Sequence, residues 1–160
     1  MATTKDIKII RYGTEDGHQP TAQPLTSSVS VYAGTLAVTH NGYLINPDSG
    51  VATGDYTWGV INGIVDSNPA VSSPITGVSS NGTICGISTG TFYFACGSGA
   101  DAFTQADVGK TAYVIDAATV GKTNGGGTRP VAGIVASIGV AQYAGLIAVE
   151  LGSNESTGSP

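Results

Sequence analysis

The sequence predicts an all-β protein: a small β-barrel or β-sandwich of antiparallel strands with an extended N-terminal arm. Three observations carry the expectation. Only 11% of the 160 residues are charged, against about a quarter in an ordinary domain, and the straight-chain residues that favour long helices are scarce. Glycine is abundant, at 24 residues, and Val, Thr, Ser and Ala fill much of the remainder, a bias towards strands and tight turns. The apolar residues fall in short runs separated by Asn-Gly and Gly-rich pairs, the spacing of a protein built from many short strands.

A chain of this length forms one domain with a core of its own. It divides into an N-terminal arm, 1–28, a β domain, 29–151, and a polar C-terminal tail, 152–160. In the arm, Lys5, Lys8 and Arg11 alternate loosely with Ile7, Ile9, Ile10 and Tyr12. Gly13 to Ser28 is polar, carries Pro20 and Pro24, and shows no period. An apolar tip on a polar tether reads either as a segment that docks on a partner or as a first edge strand followed by a loop. Lys5, Ile7, Lys8, Ile9, Ile10, Arg11 and Tyr12 are therefore candidate partner-binding residues.

Within the β domain, Thr35–His40 and Tyr43–Asn46 flank Asn41-Gly42, the favoured pair for a type I′ hairpin. That register sets His40 against Tyr43 and Val38 against Ile45. Tyr56–Asp66 reads as one strand, bulged at Gly63. Simple alternation places Trp58, Val60 and Ile64 on one face and Ile61 and Val65 on the other, with Trp58 a core or interface anchor and the eighth candidate partner-binding residue. Ile75–Cys96 reads as a meander: Asn81-Gly82 joins Ile75–Ser80 to Thr83–Ser88, and Gly90-Thr91 joins that strand to Phe92–Cys96. Cys85 then faces Cys96 in a hydrogen-bonded pair with Cα atoms about 5.5 Å apart, within disulfide range, although a reducing compartment would keep both as thiols. Cys85, Ile87, Phe94 and Cys96 share a core face in this register. Thr111–Asp116, Pro130–Ile138 and Leu146–Leu151 are three further strands, and Gly121–Thr128 is a glycine-rich loop.

The net charge is −5, and no Lys or Arg occurs between His18 and Gly109. A protein that binds nucleic acid needs a basic stripe to displace counterions, so nucleic acid is excluded as a partner. No apolar segment is long enough to span a bilayer as a helix. Met1–Lys8 lacks the apolar core of a secretion signal, which predicts synthesis in a cytoplasm.

Three stretches approach nucleotide or hydrolase motifs, and none keeps its context. Gly86-Ile-Ser88-Thr-Gly90 has the spacing of a nucleophile elbow, which requires a helix after the serine; a strand follows here. Gly109-Lys-Thr111 and Gly121-Lys-Thr123 lack the glycine five residues earlier, where Thr104 and Asp116 stand, and lack a following helix. Gly97-Ser-Gly99-Ala-Asp101-Ala102 follows a strand, and Asp116 ends the next one at the distance of a ribose-binding carboxylate. The interval Asp101–Val108 is too short for a crossover helix, and reads instead as one helical turn with Thr104 and Asp107 as a capping box. There is no Cys/His spacing for zinc and no acidic loop for calcium. No catalytic, cofactor or metal residue is expected, and His40 has no visible catalytic partner.

Val31-Tyr-Ala-Gly34-Thr-Leu, Gly42-Tyr-Leu-Ile and Trp58-Gly-Val-Ile-Asn-Gly-Ile-Val resemble the first half of small capsid decoration (cement) proteins of tailed bacteriophages. Asp107-Val-Gly109-Lys-Thr-Ala-Tyr113-Val-Ile-Asp116, Pro130-Val-Ala-Gly133-Ile-Val and Ile147-Ala-Val-Glu-Leu151 are similar to the second half. The likeness covers about 29–151 and rests on the spacing of glycines and apolar residues. It implies a structural virion protein on the capsid exterior, made in the host cytoplasm. Such a protein would be a homo-oligomer, a trimer rather than a dimer, that clamps neighbouring subunits of the major capsid protein without catalysis. Two other classes stay open: a nucleotide-binding enzyme domain built on Gly97–Asp116, and a carbohydrate-binding or adhesin module with Trp58, Tyr56 and Tyr43 as a stacking surface.

Overall fold

The computed structural model describes residues 21–64, 74–77 and 83–151. Among them there are strands and single turns of 3-10 helix but no α-helix, so the all-β expectation holds. None of their helices is long and apolar enough to cross a membrane. The strands are β1 (Thr21–Pro24), β2 (Ser30–Val31), β3 (Leu36–His40), β4 (Tyr43–Ile45), β5 (Tyr56–Ile64), β6 (Ile75–Thr76), β7 (Ile84–Ser88), β8 (Gly90–Cys96), β9 (Thr111–Val114), β10 (Thr119–Gly121), β11 (Val131–Ile138) and β12 (Leu146–Leu151).

They form two curled sheets and one small ribbon. The first sheet has the order β1-β7-β5-β3-β4. Its edges almost meet: Leu25 bridges Leu44, and Thr26 N donates to Leu44 O at 3.0 Å. The second is a closed barrel, β10-β8-β12-β11-β9. Closure removes the unpaired edges that would otherwise template aggregation. The pairs are antiparallel except β8 with β10, which is parallel. The ribbon pairs β2 with β6.

The β3–β4 turn follows the sequence register to the residue. His40 pairs with Tyr43 and Val38 with Ile45, and Asn41 and Gly42 take φ of 51° and 87°, the positive values a type I′ turn demands. β5 is a single strand with an irregularity beside Gly63, since pairing with β7 shifts between Ile61 and Gly63.

Four expectations need correction. Residues 21–28, read as arm, belong to the body: β1 pairs with β7, Leu25 is fully buried, and Ser28 N donates to Gly77 O. Proline and polar residues hid a strand that is followed by one buried leucine. Trp58 does not share a face with Val60. Pairing between β3 and β5 skips from Ala37–Gly59 to Val38–Thr57, so Trp58 is the extra residue of a bulge, which displaces it from simple alternation. It packs against the cluster that holds Ile61 and Cys85, while Val60 joins the other cluster. β7 and β8 do not form a hairpin either. β7 pairs with β1 and β5, and β8 with β12 and β10, so the chain changes sheet at Thr89. Cys85 and Ile87 lie in one cluster and Phe94 and Cys96 in the other; both cysteines are free thiols. Finally, Ile75–Thr76 pairs with β2; the Asn81-Gly82 turn lies outside the described residues.

The core is double. Leu25, Val31, Ala37, Leu44, Ile61, Ile75, Cys85 and Ile87 fill the first sheet. Phe92, Phe94, Phe103, Val114, Val120, Val135, Ile147 and Val149 fill the barrel, joined by Leu36, Val38 and Val60 from β3 and β5. β3 and β5 are thus buried on both faces, which is why their sequences run apolar rather than alternating.

Candidate functional site

The stretch with the near-motifs folds into a polar clip on the barrel. Gly99–Asp101 and Gln105–Asp107 are two 3-10 turns between β8 and β9. Thr104 N and Oγ1 both donate to Asp107 Oδ2, at 2.9 and 3.0 Å, so the capping pair expected from sequence is present. The same carboxylate, only 3% exposed, receives Lys110 Nζ on Oδ1 at 3.2 Å and Lys122 Nζ on Oδ2 at 3.5 Å. The Thr104 amide is the main reason its pKa falls to about 2; burial opposes the shift, and the two lysines reinforce it.

Asp101 is the second hub. Its Oδ1 accepts from Thr123 N at 3.1 Å, Thr123 Oγ1 at 2.6 Å and Arg129 NH1 at 2.8 Å. Burial pushes its pKa up, but the Thr123 hydroxyl, the Arg129 guanidinium and the Thr123 amide outweigh it and leave the carboxyl below its ordinary value. A Cβ added at Gly97 would meet Asp101 Cβ at 2.6 Å, and one at Gly121 would meet Asp101 Oδ1 at 2.8 Å. The first glycines of Gly97-x-Gly99 and Gly121-Lys-Thr123 therefore make room for a carboxylate of the protein itself. Asp116, the residue in ribose position, spends Oδ1 on the Ala118 amide in the turn into β10. Lys110, Lys122 and Arg129 are the Lys and Arg side chains among the described residues, and each pairs with Asp101 or Asp107.

A second constellation matches no sequence motif. His40 Nδ1 donates to Asp55 Oδ1 at 2.6 Å; the imidazole is 54% exposed and the carboxylate 2% exposed. Asp55 Oδ2 accepts from Ala52 N at 2.7 Å. The pairing Thr39–Tyr56 brings them together across β3 and β5. Beside them opens a cleft of about 420 Å³ lined by Val29, Ile45, Asn46, Val51 and Ala52 together with the pair. With Nδ1 committed to the carboxylate, Nε2 is the ring nitrogen left for other partners. No group of three or more His, Cys, Asp or Glu able to hold a metal occurs among the described residues.

Of the sequence-derived candidates, Trp58 alone is described; Lys5, Ile7, Lys8, Ile9, Ile10, Arg11 and Tyr12 lie outside the described residues. Trp58 is half-buried, donates Nε1 to Thr39 Oγ1 at 2.9 Å and meets the Tyr56 ring edge-on at 4.8 Å. It is an anchor within its own sheet, beside a Tyr56 that is 39% exposed. Comparison with protein-family models, curated proteins and solved structures returned no match.

Proposed function

We propose that this protein is a structural component of a tailed-phage virion, a decoration protein that binds the outer face of an icosahedral capsid and ties neighbouring major capsid subunits together. It is made in the host cytoplasm, assembles as a homo-oligomer, a trimer in preference to a dimer, and catalyses nothing. The resemblance over 29–151 supports the family. The observation that carries the reading is the polar accounting of the clip: Lys110, Lys122 and Arg129 are spent on Asp101 and Asp107. The region that resembles a nucleotide site thus works as internal bracing. A scaffold whose cations brace its own loops suits a shell component better than a phosphate-binding enzyme.

The test is binding of the purified protein to capsids that lack decoration, with the oligomer sized by light scattering. Saturable binding by a trimer is the expected result, and deletion of Met1–Arg11 should weaken it at least tenfold while circular dichroism stays that of a β protein. Absence of binding to every undecorated shell tried, with a thermal shift on adding a nucleotide, would move the reading to the enzyme class.

A further inference from the structure

Asn-Gly occurs at 41–42, 62–63, 81–82 and 124–125; the third pair lies outside the described residues. The last pair opens the glycine-rich loop after β10. We infer that Asn124 is a modification site of the folded protein, where the loop promotes conversion of the side-chain amide to a carboxylate, as aspartate or isoaspartate, with water as the co-reactant. Three observations select it.

The first is an available nucleophile beside an accessible amide. Asn124 is exposed, and glycine at 125 has no side chain to crowd an attack by its own nitrogen. Among the described residues the Gly125 N–H donates to no acceptor, and Asn124 Nδ2 is likewise unspent. The second is a polarised carbonyl. Asn124 Oδ1 accepts from Gly126 N at 3.1 Å and from Gly127 N at 3.2 Å. When nitrogen adds to Cγ, negative charge develops on Oδ1, and fixed N–H donors stabilise such an oxyanion. The donors are held in place. Asn124 O accepts from the Gly127, Thr128 and Arg129 amides at 3.1, 3.0 and 3.1 Å, and Thr53 Oγ1 donates to Gly127 O.

The third is charge. A Cβ built at Gly125 would lie 3.0 Å from Arg129 Cγ and 3.0 Å from Arg129 Nε, so the guanidinium packs against this glycine. The attacking species is the deprotonated amide, and an adjacent cation favours an anionic form. The other described pairs lack this setting. Asn41 Oδ1 receives no donor among the described residues, and nothing lies within 4 Å of a Cβ built at Gly42. Gly63 is held in the pairing of β5 with β7.

The atoms balance without an oxidant or reductant. Gly125 N gives its proton to solvent and bonds to Asn124 Cγ. The tetrahedral centre collapses, the Cγ–Nδ2 bond breaks, and Nδ2 takes up a proton and leaves as ammonia. Water then opens the five-membered imide at either carbonyl. One carboxylate added to a net charge of −5 gives −6, so the loop carries a one-way change of charge with age. The inference does not depend on the capsid reading and can fail or hold without it.

The test incubates the full-length protein at mildly alkaline pH, folded and in urea, and follows the Asn-Gly peptides by mass spectrometry with detection of isoaspartate. In the folded protein Asn124 should convert roughly tenfold or more faster than Asn41 and Asn62, within what oxyanion donors supply, and in urea the pairs should converge. Arg129→Gln should slow the folded Asn124 severalfold, Arg129→Lys should restore most of the rate, and Asn124→Gln should remove the signal. Equal rates at the three sites in the folded protein, a folded Asn124 slower than the same residue in urea, or an Arg129→Gln variant with the unaltered rate would overturn the proposal.

Discussion

The Arg129 guanidinium lies 2.8 Å from Asp101 Oδ1 across twenty-eight residues of chain, and the two side chains are 23% and 17% exposed. This contact holds the glycine-rich loop after β10 against the turn that follows β8. Asp101→Asn removes the charge that three donors share and should cost about 1–3 kcal/mol in urea unfolding, the usual penalty for disturbing a partly buried charged acceptor. Arg129→Gln should cost less, since Thr123 still donates twice. The double variant should lose less than the sum of the two, because both changes remove one interaction. Additive losses would show that the contact contributes nothing of its own.

Acid should loosen the same region. Asp107 has a folded pKa of about 2 against 3.8 for the free side chain, and Asp101 is lowered as well. A depressed folded value means that the unfolded chain takes up protons first as pH falls. The stabilisation is therefore complete above about pH 5 and is lost progressively as pH drops through 3.8 towards 2. Melting temperature measured from pH 6 to pH 2 should fall most steeply in that window, and Asp107→Asn should flatten the slope. A variant with an unchanged slope would remove Asp107 from the account.

A Cβ at Gly133 would sit 2.0 Å from the carbonyl oxygen of Glu150, on the paired strand. Gly133→Ala must push β11 and β12 apart, and a loss of about 1–3 kcal/mol is expected, the range of other overpacked cores. Gly54, in the loop before β5, has nothing within 4 Å of the same position, so Gly54→Ala should change stability by no more than about 0.5 kcal/mol. Equal effects at the two positions in denaturant titrations would contradict the strand packing described above.

Both cysteines should titrate as thiols in the unfolded protein. In the folded protein they should differ. Cys85 is fully buried among Ile61 and Ile87, whereas Cys96 is only half-buried, its Sγ against Gly97 O and Phe103 N. A thiol reagent should label Cys96 first and reach Cys85 only on unfolding, a difference readable by mass spectrometry of the labelled peptides.

What the sequence disclosed follows the range of the forces involved. Asn41-Gly42 determines its own turn, and with it the register of β3 on β4, because the backbone signs are local. Thr104 and Asp107 are likewise three residues apart and cap one turn. The choice of sheet after Thr89 is not local. A Gly-Thr pair is compatible with a hairpin or with a crossing between sheets, and the partner strand β12 that decides it lies more than fifty residues on. Trp58 defeated alternation because one inserted residue reverses the face of everything beyond it. The link between His40 and Asp55 is carried by strand order rather than by a motif. With β3 and β4 a hairpin and the next strand returning beside β3, residues just before Tyr56 must arrive beside His40.

The single crossing at Thr89 sets the order in which the molecule can be built. The strands of the first sheet lie between residues 21 and 88, and those of the barrel between 90 and 151, so a growing chain presents the first sheet as a unit before β8 exists. At that stage Leu36, Val38 and Val60 have no barrel to cover them, and an apolar strip lies open to solvent. Synthesis at about 5–20 residues per second keeps it open for several seconds. That interval makes the half-made chain most prone to association with its neighbours, and a pause in translation after Gly90 would lengthen it.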